Sequence, residues 1–429
     1  MAHNKVELRK TQSVKIAILG SGISGLSFGR ILNHEHEVTV YEIQDEIGGL
    51  IKCERINDCL FHKVGGHVFN SKNHEVSNWF WSFFDRENEF ISAKRNAKIL
   101  FNNKIIGYPI ENYLYTLDKP LIKRIIDELS QLQKAGIKKP FEYESFESFL
   151  KGNFGSTLFE IYFEPYNKKI WNTDLSKVAM RWLDGKLPMP NFNDIIYNNL
   201  IREEGDEMVH SYFYYPKNDG SQFIINRLAE DLKIVISKTQ QITFSGGKVC
   251  LNNEYYDKLV YTGDIRAIPE VIKELLIDKG INWDEVLALK SNGTSNLFCE
   301  TDDTDISWLY IPQNFTKAHR IIYTGNFSQS NNRGSKRKTC VVEFSGKVDY
   351  EIMVNEIKDL PGNLKPLASN YEPNSYVIQN ANTRKLISEI KKILGSNNIF
   401  LLGRFAEWEY YNMDKAIEAA FSLKKEMLK

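Results

Sequence analysis

One segment, Val14 to Glu42, constrains the fold of this 429-residue sequence more than any other. The apolar run VKIAILG is followed by SGISGLSFGRIL and HEVTVYE, which predicts strand, glycine-rich turn, helix and strand. Gly20, Gly22 and Gly25 allow a tight turn, close backbone approach to a pyrophosphate and close helix–strand packing. The free N–H groups of the following helix favour phosphate. The segment therefore predicts a dinucleotide-binding unit, with Ser24 in the same turn as a further contact.

The residues after the second strand narrow the choice of dinucleotide. Glu42 ends that strand, where a carboxylate accepts hydrogen bonds from ribose hydroxyls and disfavours a 2′-phosphate. Gly48 and Gly49 follow, with Leu50 next to them. A second glycine pair at this distance resembles the FAD proteins of the glutathione-reductase-like and amine-oxidase-like groups. The alternative is a surface turn with no cofactor role.

A third glycine pair, Gly65-Gly66, stands directly before His67 in FHKVGGHVFNSKN. Glycines allow backbone to lie flat against a ring, because they carry no Cβ. We therefore predict that Gly65 and Gly66 contact a flavin and that His67 projects beside it. A structural role for this lone histidine is the alternative.

Helical spacing of apolar residues predicts a helical subdomain at 110–200, with a break between two of its helices at GNFG. Alternating apolar residues after about residue 290 predict strands. Three short runs, KIVIS, KVCL and KLVYTGD, are predicted to be strands that return to the nucleotide-binding domain. The basic stretch SQSNNRGSKRKT is predicted to be a solvated loop between strands, with phosphate capture as the alternative.

Composition limits the classes of partner. Lys plus Arg and Asp plus Glu are 55 each, so the net charge gives no general electrostatic argument for binding to nucleic acid or to an anionic membrane surface. Binding of a small anionic ligand stays open, because it needs only a few local donors. The five cysteines are scattered, and no histidine or further cysteine completes a metal-ligand set. Neither a secretory leader nor a run of about 18–20 apolar residues is present. We expect a cytoplasmic protein without a metal site or membrane span.

Two motifs carry a more specific resemblance: YFEPYNKKIW in the helical region and GRFAEWEYYNMDKAI near the end. They resemble UDP-galactopyranose mutases and their relatives in the amine-oxidase- and protoporphyrinogen-oxidase-like flavoprotein superfamily. The resemblance extends over most of the chain, through GGHVFNSKN, IIGYPIENYL, YYPKNDGSQ and AHRIIYTGNF.

The resemblance implies an α/β fold: an FAD-binding Rossmann-type domain with an inserted helical bundle and an antiparallel β-sheet substrate domain. Its predicted bounds are 14–75, 220–265 and 395–429 for the discontinuous FAD-binding domain, 110–200 for the bundle and 290–390 for the sheet.

The implied activity is that of an FAD-dependent isomerase. Enzymes of this family interconvert pyranose and furanose forms of a nucleotide sugar, through attack of reduced flavin N5 on the anomeric carbon. The resemblance thus implies reduced FAD as cofactor, a nucleotide-sugar substrate and a role in surface polysaccharide synthesis. NAD(P)H as external reductant and assembly into a homo-oligomer stay open.

The resemblance also assigns site residues. Gly403, Arg404, Met413 and Asp414 match the flavin-contacting C-terminal motif, with Arg404 and His67 as the catalytic candidates. A helix starting near Met413 would direct its positive end at charge on a reduced flavin. The residues that match the family's substrate contacts are Tyr166, Trp171, Arg320 and Tyr410. Packing in the core is the alternative for each aromatic residue.

The sequence departs from the family where a second diphosphate-binding arginine is expected. In DGKLPMPNFND, Met189 or Pro190 occupies that position. Val341 and Asn412 replace a common tyrosine and a common aspartate. The identity of the nucleotide-sugar substrate is therefore left open. So are two other functions: an FAD-dependent oxidoreductase of amine-oxidase or protoporphyrinogen-oxidase type, with net redox turnover, and an inactive flavoprotein that serves as a scaffold.

Overall fold

The computed structural model describes residues 13–136, 138, 142–178, 191–202 and 212–427. The strands are β1 Lys15–Leu19, β2 Glu37–Glu42, β3 Cys53–Ile56, β4 Cys59–His62, β5 Phe90–Lys94, β6 Ala97–Phe101, β7 Lys104–Gly107, β8 Tyr212–Pro216, β9 Lys233–Ile236, β10 Ile242–Ser245, β11 Lys248–Leu251, β12 Glu254–Tyr256, β13 Lys258–Tyr261, β14 Lys290–Thr301, β15 Trp308–Tyr310, β16 Ala318–Ile322, β17 Lys338–Ser345, β18 Lys365–Ile378 and β19 Ile399–Leu401. The helices are α1 Ile23–Leu32, α2 His74–Trp81, α3 Arg86–Glu89, α4 Lys119–Ala135, α5 Phe146–Leu158, α6 Glu164–Trp171, α7 Phe192–Ile201, α8 Gly220–Ala229, α9 Glu270–Asp278, α10 Trp283–Leu287, α11 Tyr350–Glu356, α12 Thr383–Gly395 and α13 Met413–Met427.

A five-stranded parallel sheet in the order β19-β13-β1-β2-β9 forms the nucleotide-binding core. Alternate residues of β1 supply the two faces. Ile16 and Ile18 pack with residues of α1 and α13, whereas Ala17 and Leu19 pack on the opposite face with residues of α9 and α12. Both faces of β1 are thus buried, which explains why its sequence is continuously apolar.

The prediction for KVCL was wrong in one respect. KIVIS and KLVYTGD supply β9 and β13 of the parallel sheet, but KVCL is β11, the centre of a separate antiparallel sheet β10-β11-β12. Tight turns flank it: Gly246-Gly247 have φ of 58° and 76°, and Asn252-Asn253 have φ of 50° and 67°. Positive φ at two successive residues reverses the chain, so β11 pairs antiparallel with both neighbours.

A seven-stranded sheet in the order β18-β14-β17-β16-β15-β6-β7 forms the second layer. Its pairs are antiparallel except that β15 and β6 run parallel. Strands β6 and β7, residues 97–107, thus join from outside the predicted range 290–390. The predicted α/β fold class is confirmed, with this sheet mixed rather than wholly antiparallel.

Helices α4 to α7 pack around an aromatic core built from Phe146, Phe149, Phe154 and their neighbours. Helix α5 bends at Gly155, whose φ is 83°, and a π-helical turn at Phe159–Phe163 leads into α6. The break predicted in GNFG therefore occurs at Gly155. Residues 179–190 of the predicted helical subdomain lie outside the described residues, and the domain bounds stay predictions. Within the described part, no helix is both long and apolar enough to cross a membrane.

Candidate active site

The glycine loops lie beside the parallel sheet, and their close contacts require glycine. Gly20 follows β1 with a φ of 111°, and a Cβ there would lie 2.2 Å from Thr262 Oγ1. A Cβ on Gly25 would lie 2.0 Å from the Gly20 carbonyl oxygen. Gly22 pairs with Gly48 in an isolated bridge, so the two predicted loops meet.

The second glycine loop packs tightly against the first. A Cβ on Gly49 would come within 3.1 Å of Gly22 Cα. Leu50, in the short helical turn Gly49–Ile51, packs against the core on the Leu19 face of the parallel sheet. This loop is thus part of the predicted nucleotide site rather than a detached surface turn.

Glu42 connects the end of β2 to the glycine turn. Its buried carboxylate accepts hydrogen bonds from the Ser21 amide at 3.0 Å, from Ser21 Oγ at 2.5 Å and from the Gln44 amide at 2.8 Å. These bonds fix the carboxylate at the sheet edge, the predicted position for a ribose contact.

A cleft with a volume of about 260 Å³ lies next to the parallel sheet. It brings together eight of the predicted site residues, from three distant parts of the sequence: Gly65, Gly66, His67, Arg320, Arg404, Tyr410, Met413 and Asp414. Asn412 lines the same cleft. Gly403, next to Arg404, approaches Ser24 so closely that a Cβ would lie 2.8 Å from Ser24 Oγ.

Tyr166 and Trp171 lie behind the wall of this cleft. The Tyr166 ring packs edge-on against Tyr310, with 5.5 Å between ring centroids. Burial and the neighbouring Tyr310 raise the pKa of Tyr166 well above its usual value. Trp171 is buried, donates from Nε1 to Asn167 at 3.2 Å and packs against Tyr376. Trp171 therefore supports Tyr376, which lines the cleft, whereas Tyr166 packs against Tyr310, which does not.

His67 faces the cleft as a neutral imidazole. Burial and the Arg404 guanidinium lower the pKa of His67 to about 4, and its Nε2 is buried without a hydrogen-bond partner among the described residues. Nearby, Asp414 lies in the first turn of α13, and burial raises the pKa of its carboxyl. The site thus offers a neutral donor or acceptor and a helix N-terminus at one place.

Arg404 is held by carbonyl oxygens. Its guanidinium donates to the Ser375 carbonyl at 2.9 Å and to the Tyr411 carbonyl at 3.1 Å. It also lies 4.6 Å from the centre of the Tyr410 ring. Carbonyl acceptors orient the group without neutralising it, so the positive charge of Arg404 acts on the cleft.

A row of polar residues crosses the seven-stranded sheet beneath the cleft. Tyr310 pairs with Arg320, Arg320 with Glu343, Glu343 with Asn296 and Asn296 with Asn370. Cross-strand partners share a face of the sheet. Sequence reasoning found only Arg320, although buried polar residues at alternating strand positions were an available signal. We call these five residues the cross-strand row.

The cross-strand row also holds the loop that carries His67. The Gly65 amide donates to Glu343 at 2.9 Å, and Asn296 and Asn370 donate to the Lys63 carbonyl at 2.9 and 2.8 Å. Arg320 forms an ion pair with Glu343. Burial alone would raise the pKa of Glu343, but Arg320 and His319 outweigh it and lower the pKa to about 2. One carboxylate therefore contacts both the glycine loop and Arg320, the predicted substrate-contacting arginine.

Comparisons with known proteins found relatives that match over most of the chain. The model of the NAD(P)-binding Rossmann-like domain matches residues 18–86. A UDP-galactopyranose mutase from Mycoplasma genitalium is 24% identical, over 96% of this chain and 94% of the relative. A dTDP-fucopyranose mutase from Escherichia coli is 22% identical, over 95% and 96%.

Among solved structures, a reduced UDP-galactopyranose mutase superposes with a TM-score of 0.82 at 20% identity, covering 97% of this chain and 94% of that one. Over nearly its whole length, the chain is thus similar to UDP-galactopyranose mutases. A putrescine oxidase with bound putrescine shares the fold more distantly, with a TM-score of 0.64, 11% identity and coverage of 97% and 99%. Two relatives that match over nearly the whole chain are named as mutases, and the oxidase comparison is the weaker one.

The residues of the site fit a cofactor of the FAD type. The crowded contacts at Gly20, Gly25 and Gly49 leave backbone in place of side chains, as close approach of a pyrophosphate requires. At the cleft, His67 Nε2 lacks a hydrogen-bond partner among the described residues, and the Arg404 guanidinium is charged. The polar edge of a flavin ring can form hydrogen bonds with both groups. These residues would hold the dinucleotide at one end and the ring at the other.

Proposed function

We propose that the protein interconverts pyranose and furanose forms of a nucleotide-linked sugar, in the synthesis of surface polysaccharide. The observation that carries the proposal is the single cleft that combines His67, Arg404 and the α13 N-terminus with Arg320 and Tyr410. His67, Arg404 and the α13 N-terminus suit the polar edge of a flavin ring. Arg320 and Tyr410 suit an anion. Two whole-chain relatives named as mutases of different nucleotide sugars support the same reaction class.

The residues have separable roles in this proposal. When bound and reduced, FAD supplies the nucleophile for exchange at the anomeric carbon. Arg404 and the N-terminus of α13 stabilise negative charge in the cleft. Arg320, oriented by Glu343 and Tyr376, holds the departing diphosphate so that it can return. His67, neutral at physiological pH, accepts or donates a hydrogen bond without adding charge.

The test compares reduced and oxidised flavin-loaded protein, each incubated with UDP-galactopyranose or dTDP-fucopyranose. Anion-exchange chromatography should reveal a ring-contracted nucleotide sugar in the reduced samples alone. Arg320→Gln should slow conversion by roughly 10–100-fold, because a hydrogen bond to a charged group contributes about 1.5–3 kcal/mol. Arg333→Gln is the control, since exposed Arg333 contacts Asn218 away from the cleft.

Failure of reduced, flavin-loaded protein to convert any nucleotide sugar would overturn the proposal. Net dye reduction that depends on an amine substrate would favour the oxidoreductase alternative instead. A purified protein that cannot retain flavin would favour the scaffold alternative.

Three finer expectations accompany the proposed function. NAD(P)H is proposed as the external reductant, the cytoplasm as the location and a homo-oligomer as the assembly. Flavin bleaching on addition of NADPH or NADH without oxygen tests the first. Fractionation of the native host tests the second, and light scattering of the purified protein tests the third.

A further inference from the structure

Arg95 lies in the turn between β5 and β6 and lines the same cleft as Arg320 and Arg404. It belongs to none of the sequence motifs that predicted the site. It reaches the cleft because β6 joins the seven-stranded sheet beside β15, the strand that carries Tyr310. The parallel β6–β15 pair thus places Arg95 at the end of the cross-strand row.

The contacts of Arg95 orient its guanidinium without neutralising it. Nη2 donates to the Tyr310 hydroxyl, and the guanidinium lies 5.0 Å from the centre of the Trp308 ring and 5.8 Å from that of Tyr108. Its Nε is buried and lacks a hydrogen-bond partner in the described part of the chain. Aromatic faces and one hydroxyl therefore hold the guanidinium at the cleft wall without a counter-charge from the described residues.

Arg95 differs from Arg320 in its counter-charge. Arg320 has Glu343, whereas the principal titratable groups acting on Arg95 are Tyr310, Tyr108 and Arg320 itself, and none is a carboxylate. Placing a second cation near Arg320 costs free energy, since both charges are partly removed from water. An anion with two negatively charged groups would relieve this cost, because each guanidinium could donate to one of them.

Tyr310 determines how Arg95 and Arg320 are positioned relative to each other. It is the cross-strand partner of Arg320 and accepts the hydrogen bond from Arg95, so it lies between them. Planar guanidinium groups match phosphate oxygens in geometry, and two of them can bind a pyrophosphate from both sides.

We propose that Arg95 is the second diphosphate-binding arginine of this site and acts together with Arg320. This inference rests on the proposed function for the identity of the ligand, a nucleoside diphosphate or nucleotide sugar. Arg95 would replace the arginine that the sequence lacks at Met189 or Pro190, two positions outside the described residues. The specificity of the site for a diphosphate then comes from the turn before β6 and from β16, and β6 and β16 are two strands of one sheet.

Binding of UDP, dTDP and UMP to flavin-loaded protein, measured by calorimetry without turnover, tests this inference. Arg95→Gln should weaken UDP and dTDP binding by roughly 10–100-fold and UMP binding much less, because one charge-assisted phosphate contact is lost. Arg95→Lys, which retains charge but not the planar fork, should give an intermediate loss. Tyr310→Phe should shift binding in the same direction by a smaller factor.

Arg86→Gln is the matched control. Exposed Arg86 also donates to a tyrosine hydroxyl, that of Tyr214, and lies 5.5 Å from the centre of the Trp81 ring, but it does not line the cleft. The Arg86→Gln variant should bind UDP with the same affinity as the unchanged protein. Flavin content and melting temperature verify that each variant is folded; if Arg95→Gln fails to fold, Arg95→Lys and Tyr310→Phe decide.

Three results would overturn the role of Arg95. One is UDP affinity within about twofold of the unchanged protein, which is below the loss expected for a charged contact. Another is an equal loss for UMP, which would indicate a structural role. The third is a loss confined to NADPH binding, measured in parallel. Because no turnover is involved, Arg95-dependent UDP binding without any ring interconversion would refute the proposed function alone.

Discussion

His62 is buried and His67 is half-buried, with 6.0 Å between their ring centroids, and the protonation of both limits acid stability. Burial lowers the pKa of His62 to about 3, and burial with the Arg404 charge lowers that of His67 to about 4. An unfolded histidine has a pKa near 6.5. Between about pH 4 and 6.5 the unfolded chain therefore binds more protons than the native one, and stability falls as pH falls through this window.

Replacing His67 by Gln should reduce this pH dependence. The slope of the unfolding free energy against pH should decrease by up to about one proton, or about 1.4 kcal/mol per pH unit, between pH 4.5 and 6. Urea unfolding of the flavin-loaded protein at several pH values measures it. His34→Gln is a control, because His34 is exposed. An unchanged slope in His67→Gln would show that His67 does not titrate with a lowered pKa.

At the scale of elements, the β1–α1 turn depends on contacts between backbone atoms. The Cβ of Ala at position 25 would lie 2.0 Å from the Gly20 carbonyl oxygen, and neither atom belongs to a side chain that can rotate away. Gly25→Ala should therefore displace the turn and weaken FAD binding by roughly tenfold or more, since overpacking costs about 1–3 kcal/mol. The flavin-to-protein absorbance ratio after purification measures the loss.

Gly395→Ala is the control for Gly25→Ala. Gly395 is also helical, at the end of α12, and a Cβ there would meet no atom within 4 Å. Its flavin content should equal that of the unchanged protein. Full flavin occupancy in Gly25→Ala would contradict a tight first turn at the dinucleotide.

The elements also show which features a sequence can predict. The β1–α1–β2 unit, the break near Gly155 and the start of α13 were predictable because their signals are local: glycine position, apolar period and a polar helix start. The β6–β15 pair was not, because it joins residues about 210 positions apart and leaves no local pattern. Arg95 was missed for the same reason, since only that pairing brings it to the cleft.

At the scale of the whole molecule, the cross-strand row connects the predicted flavin-contacting residues with the predicted substrate-contacting residues. The motif residues near His67 and Arg404 were predictable from resemblance, but their connection was not. Glu343 contacts the Gly65 amide on one side and Arg320 on the other. Strand register brings Arg320 and Asn296 to Glu343, and the loop after β4 adds Gly65.

This connection predicts energetic coupling between FAD and the nucleoside diphosphate. Ordering Arg320 against a diphosphate also orders Glu343 and the Gly65 loop, so UDP should tighten FAD binding by roughly fivefold or more, and FAD should tighten UDP binding by the same factor. Glu343→Gln should reduce that factor towards one, because a neutral amide holds Arg320 less firmly.

Glu300→Gln is the matched control: Glu300 is a partly buried glutamate on neighbouring β14 that pairs with Arg337, outside the row. Titrations of apo protein with FAD, with and without UDP, give the factor for each variant. Equal coupling in Glu343→Gln and the unchanged protein would show that the two sites bind independently despite their shared carboxylate.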